Sequence, residues 1–177
     1  SMVRTLPESD PLRARSAIPE LIGRMIATGY TGRKGKGGFY RLNRAGGNRI
    51  KESIDLDTGA YRASAAARLE SLTAARSGGL KALLAHPDKG GEYARRVLSQ
   101  VLSYAADLVP EIAGDILAVD EAMKLGYGWK FGPFELIDKL GGDWLIRQLQ
   151  AEARAIPALL ERVQGRSFYR TTDGRLQ

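Results

Sequence analysis

The sequence of 177 residues contains no cysteine, a single histidine and no long apolar run. Without cysteine the chain cannot form disulfides, thiolate nucleophiles or cysteine-ligated zinc sites. Because His86 is the one histidine, clusters of histidines that bind a metal are excluded. A membrane span needs about 18 consecutive apolar residues, and no such stretch occurs. There is also no basic segment followed by an apolar one, as a signal peptide requires. We therefore expect a cytoplasmic protein without a membrane span.

The overall composition is that of an ordinary globular protein, with 44% hydrophobic and 27% charged residues. Its length favours one domain with an appendage. The organisation predicted from the sequence has three parts. Residues 1–15 form a flexible N-terminus in which Ser1-Met2 is typical of a tag-cleavage scar. Residues 16–62 form a helix and a basic, glycine-rich connector with a short β hairpin, and residues 63–177 form a helical C-terminal domain.

Positive charge is concentrated near the start of the chain. Residues 1–62 contain 12 Lys/Arg and 6 Asp/Glu, so they carry most of the net charge of +7. Gly32–Lys51 has seven basic residues and no acidic one. Such a segment attracts phosphate-bearing partners, although a solvated basic loop is the simpler interpretation. Nucleic acid is an unlikely partner because aromatic residues do not interleave with the basic ones beyond Phe39-Tyr40.

Apolar spacing predicts the elements of the first half of the chain. Ala17–Thr28 has one apolar helical stripe, and Phe39–Leu42 with Arg49–Leu56 reads as a hairpin. From Tyr61 onward the pattern favours helix, first over Ala63–Ala75 with a break at Ser77-Gly78-Gly79.

The second half is predicted to be helical almost to its end. No βαβ alternation occurs, so a dinucleotide-binding fold is excluded and a mainly α fold is predicted, with a small irregular β segment near the N-terminus. The first predicted helix covers Tyr93–Leu108, and the next opens at Pro110, ends at Gly126 and has the apolar stripe Ile112, Ile116, Val119 and Met123. A helix opened by Gly132-Pro133 and a helix at Trp144 capped by Asp143 are predicted to follow. The last predicted elements are a short helix at Pro157 and a strand at Ser167–Arg170 with a turn at Asp173-Gly174.

Two patterns that could carry chemistry have simpler interpretations. The glycine-rich Gly32–Tyr40 lacks the spacing and the strand–loop–helix context of a phosphate loop, so it is interpreted as a structural turn. The carboxylates Glu111 and Asp115, and Asp120 or Glu121 with Lys124, have the spacing of local pairs on a solvated helix face. We expect no catalytic role for them.

The segment His86-Pro87-Asp88 resembles the loop of J-domain co-chaperones, which lies between two helices. The preceding helix, however, is interrupted by Gly78-Gly79, and the tyrosine-containing motif of the first J-domain helix is not found upstream. Pro-Asp followed by Gly-Gly is also common turn chemistry. A J-domain-like co-chaperone remains a minor alternative.

Several motifs together resemble the C-terminal domain region of bacterial 3-hydroxyacyl-CoA dehydrogenases of fatty-acid β-oxidation. Leu117–Gly141 (LAVDEAMKLGYGWKFGPFELIDKLG) is the most similar stretch, within a resemblance over Tyr104–Gly141 to the second C-terminal-domain copy of a long multidomain member. Gly32–Leu42 and Glu52–Arg62 resemble the connector before that copy, and the Phe168-Tyr169 tail resembles its closing strand. The resemblance implies a helical bundle of the type also found in 6-phosphogluconate dehydrogenase C-terminal domains.

The family resemblance implies that the reacting groups lie outside this chain. In the family an N-terminal Rossmann domain binds NAD and carries a His–Glu catalytic pair, and an Asn helps to orient the substrate. None of these positions is matched, so we assign no catalytic, NAD-binding or metal-binding residue, and we expect this fragment alone to be inactive. Gly132, Pro133 and Phe134 match a structural helix-opening motif, while Lys34 and Lys36 are candidates for contacts with coenzyme A phosphates.

The same resemblance implies the partners of the chain. They are the missing Rossmann domain, an acyl-CoA substrate and possible further copies in a homo-oligomer, with roles in closing the substrate cleft, packing between domains and contact between subunits. The alternative is a stand-alone helical module that binds acyl-CoA or another protein.

Overall fold

Helices dominate the chain, and the few strands lie near its two ends. The structure is a computed structural model, and it describes residues 5–14, 17–109, 111–163, 166–172 and 175–176. The helices are α1 Pro11–Ala14, α2 Glu20–Ala27, α3 Glu70–Ala85, α4 Lys89–Leu108, α5 Ile116–Tyr127, α6 Pro133–Leu140, α7 Gly142–Ala151 and α8 Ala158–Val163. The strands are β1 Tyr40–Asn43, β2 Ile50–Ile54, β3 Tyr61–Ala63, β4 Thr171–Thr172 and β5 Arg175–Leu176. The predicted mainly α class with a small β segment near the N-terminus is confirmed.

The chain divides into two compact units, Ser1–Ala67 and Arg68–Gln177, here called the N-terminal unit and the helical unit. The division into residues 1–15, 16–62 and 63–177 stays a prediction. The described part of the predicted flexible N-terminus contains α1, which the sequence did not indicate. The Ser1-Met2 scar lies outside the described residues. Over the described residues, no helix combines the length and the apolar character that crossing a bilayer requires.

In the N-terminal unit, β1, β2 and β3 form an antiparallel sheet in that order. The predicted hairpin is confirmed, with Tyr40 opposite Ser53 and Asn43 opposite Ile50. The prediction of helix from Tyr61 onward is wrong for Tyr61–Ala63, because this segment pairs with β2 as a third strand. The hydroxyl of Tyr61 also donates to the carbonyl of Gly38 at 2.6 Å, a contact 23 residues away in sequence.

Arg41 holds this sheet together. Its Nε donates to Oε2 of Glu52 on the neighbouring strand at 2.6 Å, and its Nη1 donates to the hydroxyl of Tyr30 at 3.0 Å. Its guanidinium also lies 4.0 Å from the ring centroid of Tyr61. The bond to Glu52 and the one to Tyr30 raise the pKa of Arg41 against the opposing effect of burial, so the cation persists and fixes the strand register.

The helical unit packs around α4, which contacts α3, α6, α7 and α8. Its core is formed by aliphatic side chains with Phe134, and Leu102, Leu145 and Leu149 are completely buried. Two buried serines on α4 bond residues that directly follow α7. Ser99 Oγ donates to Glu152 at 3.2 Å, and Arg154 donates to Ser103 Oγ at 2.6 Å. These bonds join α4 to a segment about 50 residues later in the sequence.

Several helix ends differ from the predictions because contacts within the unit set them. The helix predicted over Ala63–Ala75 begins only at Glu70, where the N–H of Ser71 donates to Asp88 at 3.0 Å. The break predicted at Ser77-Gly78-Gly79 is present as a kink at Gly79, whose φ is 66°. Asp88 also caps α4, accepting from the N–H of Gly91 at 2.9 Å.

Among the described residues, the next helix begins later than its predicted stripe and ends later than predicted. The segment Glu111–Asp115 is not helical, and Asp115 caps α5 by accepting from the N–H of Ala118 at 2.8 Å. Ile112 therefore lies off the helix and is exposed. The predicted helix start at Pro110 lies outside the described residues. Gly128, with φ of 67°, ends α5 in the left-handed conformation in place of Gly126.

Later predictions are partly confirmed. Gly132-Pro133 opens α6 and Pro157 precedes α8 as expected. Asp143 is not a cap, because α7 already begins at Gly142 and its N-cap, Gly141, makes no side-chain bond. Thr171–Thr172 and Arg175–Leu176 pair as strands, which places the last strand slightly later than Ser167–Arg170. The turn predicted at Asp173-Gly174 lies outside the described residues.

We expect Asp88→Ala to lower the thermal midpoint of the chain by several degrees, because it removes one acceptor that serves two helix starts. Partial burial opposes ionisation of Asp88, but the N–H groups of Gly91 and Ser71 hold its pKa well below the usual range. A carboxylate with a lowered pKa stabilises the fold above the ordinary aspartate pKa of about 4, and this contribution is lost as the pH falls below it.

The difference between wild type and Asp88→Ala should therefore be largest near neutral pH and shrink in acid, as measured by thermal unfolding followed with circular dichroism. Asp143→Ala is the matched control, since that exposed aspartate lies in the first turn of α7 without capping it. Equal losses for the two variants at neutral pH would contradict this account.

Candidate functional site

The motif Gly132-Pro133-Phe134 lies at the most densely bonded place in the helical unit. It opens α6, with Gly132 in an extended conformation at φ −74° and ψ 172° and Pro133 in the first turn. Proline is tolerated there because its missing N–H has no helical partner. Phe134 is fully buried in the core. The motif thus joins a helix start to the centre of the hydrophobic core.

Asp120 of α5 caps this helix from outside it. Its Oδ1 accepts from the N–H of Phe134 at 2.8 Å, and its Oδ2 accepts from the N–H of Glu135 at 2.9 Å. The first N–H groups of a helix have no partner within it, so this carboxylate satisfies two donors that burial would otherwise make costly. A Cβ at position 132 would collide with the side chain of Asp120, which explains the glycine.

Asp120 was predicted to lie on a solvated helix face, and that prediction is wrong because its side chain is fully buried. The expected local ion pair is also wrong. Lys124 bonds Glu135 of α6 at 2.7 Å, and the other carboxylate oxygen of Glu135 accepts from the N–H of Gly132 at 3.0 Å. The expected pair of Glu111 and Asp115 is replaced by the cap at Asp115. Spacing alone does not distinguish a solvated carboxylate from a buried one.

Tyr169 near the C-terminus completes the site. Its hydroxyl donates to Oδ2 of Asp120 at 3.0 Å. Burial raises the pKa of Tyr169, and the bond to Asp120 raises it further, so the phenol remains protonated and acts as a donor. Burial also raises the pKa of Asp120, although the N–H groups of Phe134 and Glu135 and the hydroxyl of Tyr169 oppose that effect.

A second aspartate holds the segment that carries Tyr169. Asp138 of α6 accepts from the N–H of Phe168 at 2.8 Å and from the N–H of Tyr169 at 2.9 Å. The ring of Phe168 packs edge-on against Phe134, with 5.0 Å between the centroids. Asp120 and Asp138 therefore bind the closing segment Ser167–Arg170 to α5 and α6. We call this arrangement of two aspartates the clasp.

The chemistry of the clasp is structural. The Asp120, Asp138 and Glu135 carboxylates all bond donors from within the helical unit. Burial raises the pKa of Glu135, but the bonds from Lys124 and from Gly132 outweigh it and lower that pKa. Glu135 thus remains ionised and bonded to Lys124. Among the described residues, no group of three potential ligands could hold a metal ion. The clasp therefore fixes the closing segment to α5 and α6 through these bonds.

Cations line an open groove in the N-terminal unit, which we call the basic groove. A bridge between Gly32 and Gly37 shapes the loop at its edge. The groove has a volume of about 1000 Å³. Its lining residues are Gly32, Arg33, Gly35, Lys36, Gly37, Gly38, Phe39, Tyr40, Arg41, Leu42, Arg44 and Lys51. The groove therefore offers several cations to an anionic ligand.

The two lysines predicted to contact phosphate differ in position. Lys36 lines the basic groove, whereas Lys34 is exposed on the same loop without lining it. Arg33, Arg44 and Lys51 also line the groove and were not singled out as phosphate contacts, although the run of basic residues indicated them. Arg41 is already engaged by Glu52.

The loop His86-Pro87-Asp88 has a structural use in the helical unit. Asp88 bonds the start of α3 and the start of α4. Arg95 donates to the carbonyls of Leu84 and His86 at 2.6 and 2.7 Å, which satisfies acceptors at the end of α3. These bonds join the two helices through the Asp88 carboxylate and the carbonyl of His86.

We expect Tyr169→Phe to lower the free energy of unfolding by about 1–3 kcal/mol, since it removes a partly buried hydrogen bond to a carboxylate and keeps the ring. The measurement is urea denaturation followed by circular dichroism. Tyr127→Phe is the matched control, because Tyr127 is 74% exposed. An unchanged stability in Tyr169→Phe would show that the hydroxyl contributes nothing to the clasp.

The helical unit matches a known family. Residues 91–170, which include the clasp, match the model of the 3-hydroxyacyl-CoA dehydrogenase C-terminal domain. No solved structure matches the chain significantly.

The similar proteins are much longer than this chain. A protein of Rickettsia felis named as a fatty acid oxidation complex trifunctional enzyme is 32% identical over 98% of this chain and 23% of its own length. A protein of Rickettsia prowazekii with the same name is 32% identical over 77% of this chain and 18% of its own length. One of Bacillus subtilis, named as a 3-hydroxyacyl-CoA dehydrogenase, is 32% identical over 89% of this chain and 20% of its own length.

The chain thus spans about a fifth of the length of the curated relatives that it matches. The match to the family model and the names of the relatives agree with each other and with the resemblance of Leu117–Gly141. Residues 91–170 of this chain are therefore similar to 3-hydroxyacyl-CoA dehydrogenase C-terminal domains.

Proposed function

We propose that the chain is the C-terminal, non-Rossmann part of an NAD-dependent 3-hydroxyacyl-CoA dehydrogenase. The complete enzyme would oxidise 3-hydroxyacyl-CoA to 3-oxoacyl-CoA in fatty-acid β-oxidation and act in the cytoplasm. This chain would close the substrate cleft, pack against the other domains and contact further subunits. The match of residues 91–170 to the family model is the observation that carries the proposal.

The chemistry of the described residues agrees with a structural role for this chain in the complete enzyme. Oxidation of a secondary alcohol needs a base for the hydroxyl proton and an acceptor for the hydride. The carboxylates of the clasp bond internal donors, and the one histidine of the sequence lies in the loop between α3 and α4. The described residues also do not fit NAD, because they form small antiparallel sheets in place of a parallel sheet with a glycine-rich phosphate loop.

A rigid wall is what this part would contribute to catalysis. Hydride transfer is favoured in a closed site from which water is excluded. The clasp ties α5, α6 and the closing segment Ser167–Arg170 into one body through bonds of 2.8–3.0 Å. Such a body can pack against a cofactor-binding domain without supplying a reacting group.

The basic groove supports a second part of the proposal, a contact with the phosphates of coenzyme A. Lys36 lines the groove and Lys34 lies on the same loop, and both are exposed. Phosphate groups are favourable partners for such a surface because the sequence places no acidic residue between Gly32 and Lys51. The contact is expected to weaken with added salt.

We expect the 177-residue chain by itself to form no NADH from a 3-hydroxyacyl-CoA and NAD, whereas the longer native protein that contains it should do so. The measurement is NADH absorbance with both purified proteins at equal concentration. An immunoblot of the source cells against this chain provides the second readout. A native product near 19.3 kDa would favour a stand-alone binding module and contradict the proposal.

In the longer native protein, we expect the double variant Lys34→Glu and Lys36→Glu to raise KM for the acyl-CoA substrate about tenfold while kcat changes little, because exposed phosphate contacts act on binding. Lys81→Glu is the matched control, since Lys81 is an exposed lysine of α3 in the helical unit. An unchanged KM at low ionic strength in the double variant would remove these two lysines from the substrate site.

A further inference from the structure

Three arginines line a cleft at the end of α8 in the helical unit, which we call the arginine cleft. It has a volume of about 360 Å³, toward the lower end of the range for small-molecule sites. Its lining residues are Arg162, Val163, Arg166, Ser167, Phe168 and Arg170. The described residues that line it therefore include three cations and no carboxylate.

The three guanidinium groups lack a counter-ion. Within the described part of the chain, none of Arg162, Arg166 and Arg170 forms an ion pair with a carboxylate. Glu161 precedes Arg162 on α8 but does not line the cleft. A cleft lined by charges of one sign focuses their field and concentrates ions of the opposite sign. The arginine cleft is therefore a place where an anion is attracted and where it relieves repulsion between cations.

The side chain of Arg166 is held in place by the carbonyl groups that end α8. Its Nε donates to the carbonyl of Val163 at 3.2 Å, and its Nη2 donates to the carbonyl of Arg162 at 3.4 Å. A guanidinium group has five N–H donors, so three remain after these two bonds. Because the two bonds already orient the group, it loses less side-chain entropy when an oxyanion accepts the remaining donors.

The clasp holds another part of the lining, the closing segment Ser167–Arg170. The N–H of Phe168 donates to Asp138 at 2.8 Å, and its ring packs against Phe134 with 5.0 Å between the centroids. Phe168 and Val163 also provide apolar surface beside the cations. Residues that are fixed before a ligand arrives lower the entropy cost of binding it.

The charge and geometry of the lining favour a phosphate group over a carboxylate. The planar guanidinium group of arginine donates two parallel hydrogen bonds to a phosphate and matches its oxygen spacing. A phosphate monoester carries a charge of about −1.5 to −2 near neutral pH, whereas a carboxylate carries a single charge. Three cations are therefore better neutralised by a phosphate monoester, and the apolar surface of Val163 and Phe168 suits an organic part attached to it.

We propose that the arginine cleft binds a small organic phosphate monoester. The phosphate oxygens accept hydrogen bonds from Arg162, Arg166 and Arg170, and the organic part rests against Val163 and Phe168. This cleft shares no lining residue with the basic groove. The inference concerns binding and does not depend on the activity proposed above.

Nuclear magnetic resonance of the isotope-labelled 177-residue chain tests the proposal, with phenyl phosphate as the probe. At low ionic strength and near neutral pH, we expect the probe to shift the amide signals of residues 166–170 in a saturable way. The double variant Arg162→Gln and Arg170→Gln should raise the Kd from these signals at least about tenfold, because it removes two of the three cations. Arg147→Gln is the matched control and should keep the Kd, since Arg147 is an exposed arginine of α7 outside the cleft.

The single variant Arg170→Gln gives a second test with a smaller change to the chain, and it should raise the Kd about threefold. Circular dichroism should show the same helix content in all these variants, because Arg162, Arg170 and Arg147 are exposed. Signals of individual residues also distinguish this cleft from the basic groove.

Unshifted amides at residues 166–170, or an unchanged Kd in the arginine variants, would overturn the proposal. Benzoate binding as tightly as phenyl phosphate would overturn the choice of a phosphate ligand, and inorganic phosphate binding as tightly would overturn the role of the organic part. The titration contains neither NAD nor acyl-CoA, so a negative result would leave the proposed activity standing. A failure to form NADH would likewise leave this site unaffected.

Discussion

The buried carboxylate of Asp120 is the constraint on which the helical unit depends. A carboxylate removed from water is unfavourable unless donors surround it. Here the N–H groups of Phe134 and Glu135 and the hydroxyl of Tyr169 surround it at 2.8–3.0 Å. The start of α6 and the C-terminal tail are therefore fixed to α5 through one side chain, and Gly132 is required because a Cβ would strike it.

The same constraint determines which donors the carboxylates of the helical unit bond. A catalytic carboxylate needs a free lone pair or proton directed at a substrate. The carboxylates of Asp120 and Asp138 accept hydrogen bonds from backbone N–H groups and, for Asp120, from the phenol of Tyr169. Glu135 bonds Lys124 and the N–H of Gly132. Moving the start of α6 or the closing segment away would leave the buried Asp120 carboxylate without these donors.

The N-terminal unit follows a different principle. Its sheet is organised by the partly exposed cation of Arg41, which contacts Glu52, Tyr30 and the ring of Tyr61. Its apolar residues on α2 and at Phe39-Tyr40 point outward, and its basic groove is open. In the helical unit the buried carboxylate of Asp120 is satisfied internally, whereas the N-terminal unit leaves cations and apolar side chains exposed.

The mainly α class, the β1–β2 hairpin and the helix start at Gly132-Pro133 are predictable from the sequence, because local spacing and turn chemistry control these features. The burial of Asp120 and the bond between Lys124 and Glu135 depend on packing between helices, since helix spacing is the same for a solvated and a buried carboxylate. The third strand at Tyr61–Ala63 and the late start of α3 at Glu70 also depend on tertiary contacts. Both result from hydrogen bonds between residues distant in the chain, Tyr61 with Gly38 and Ser71 with Asp88, which local propensity does not encode.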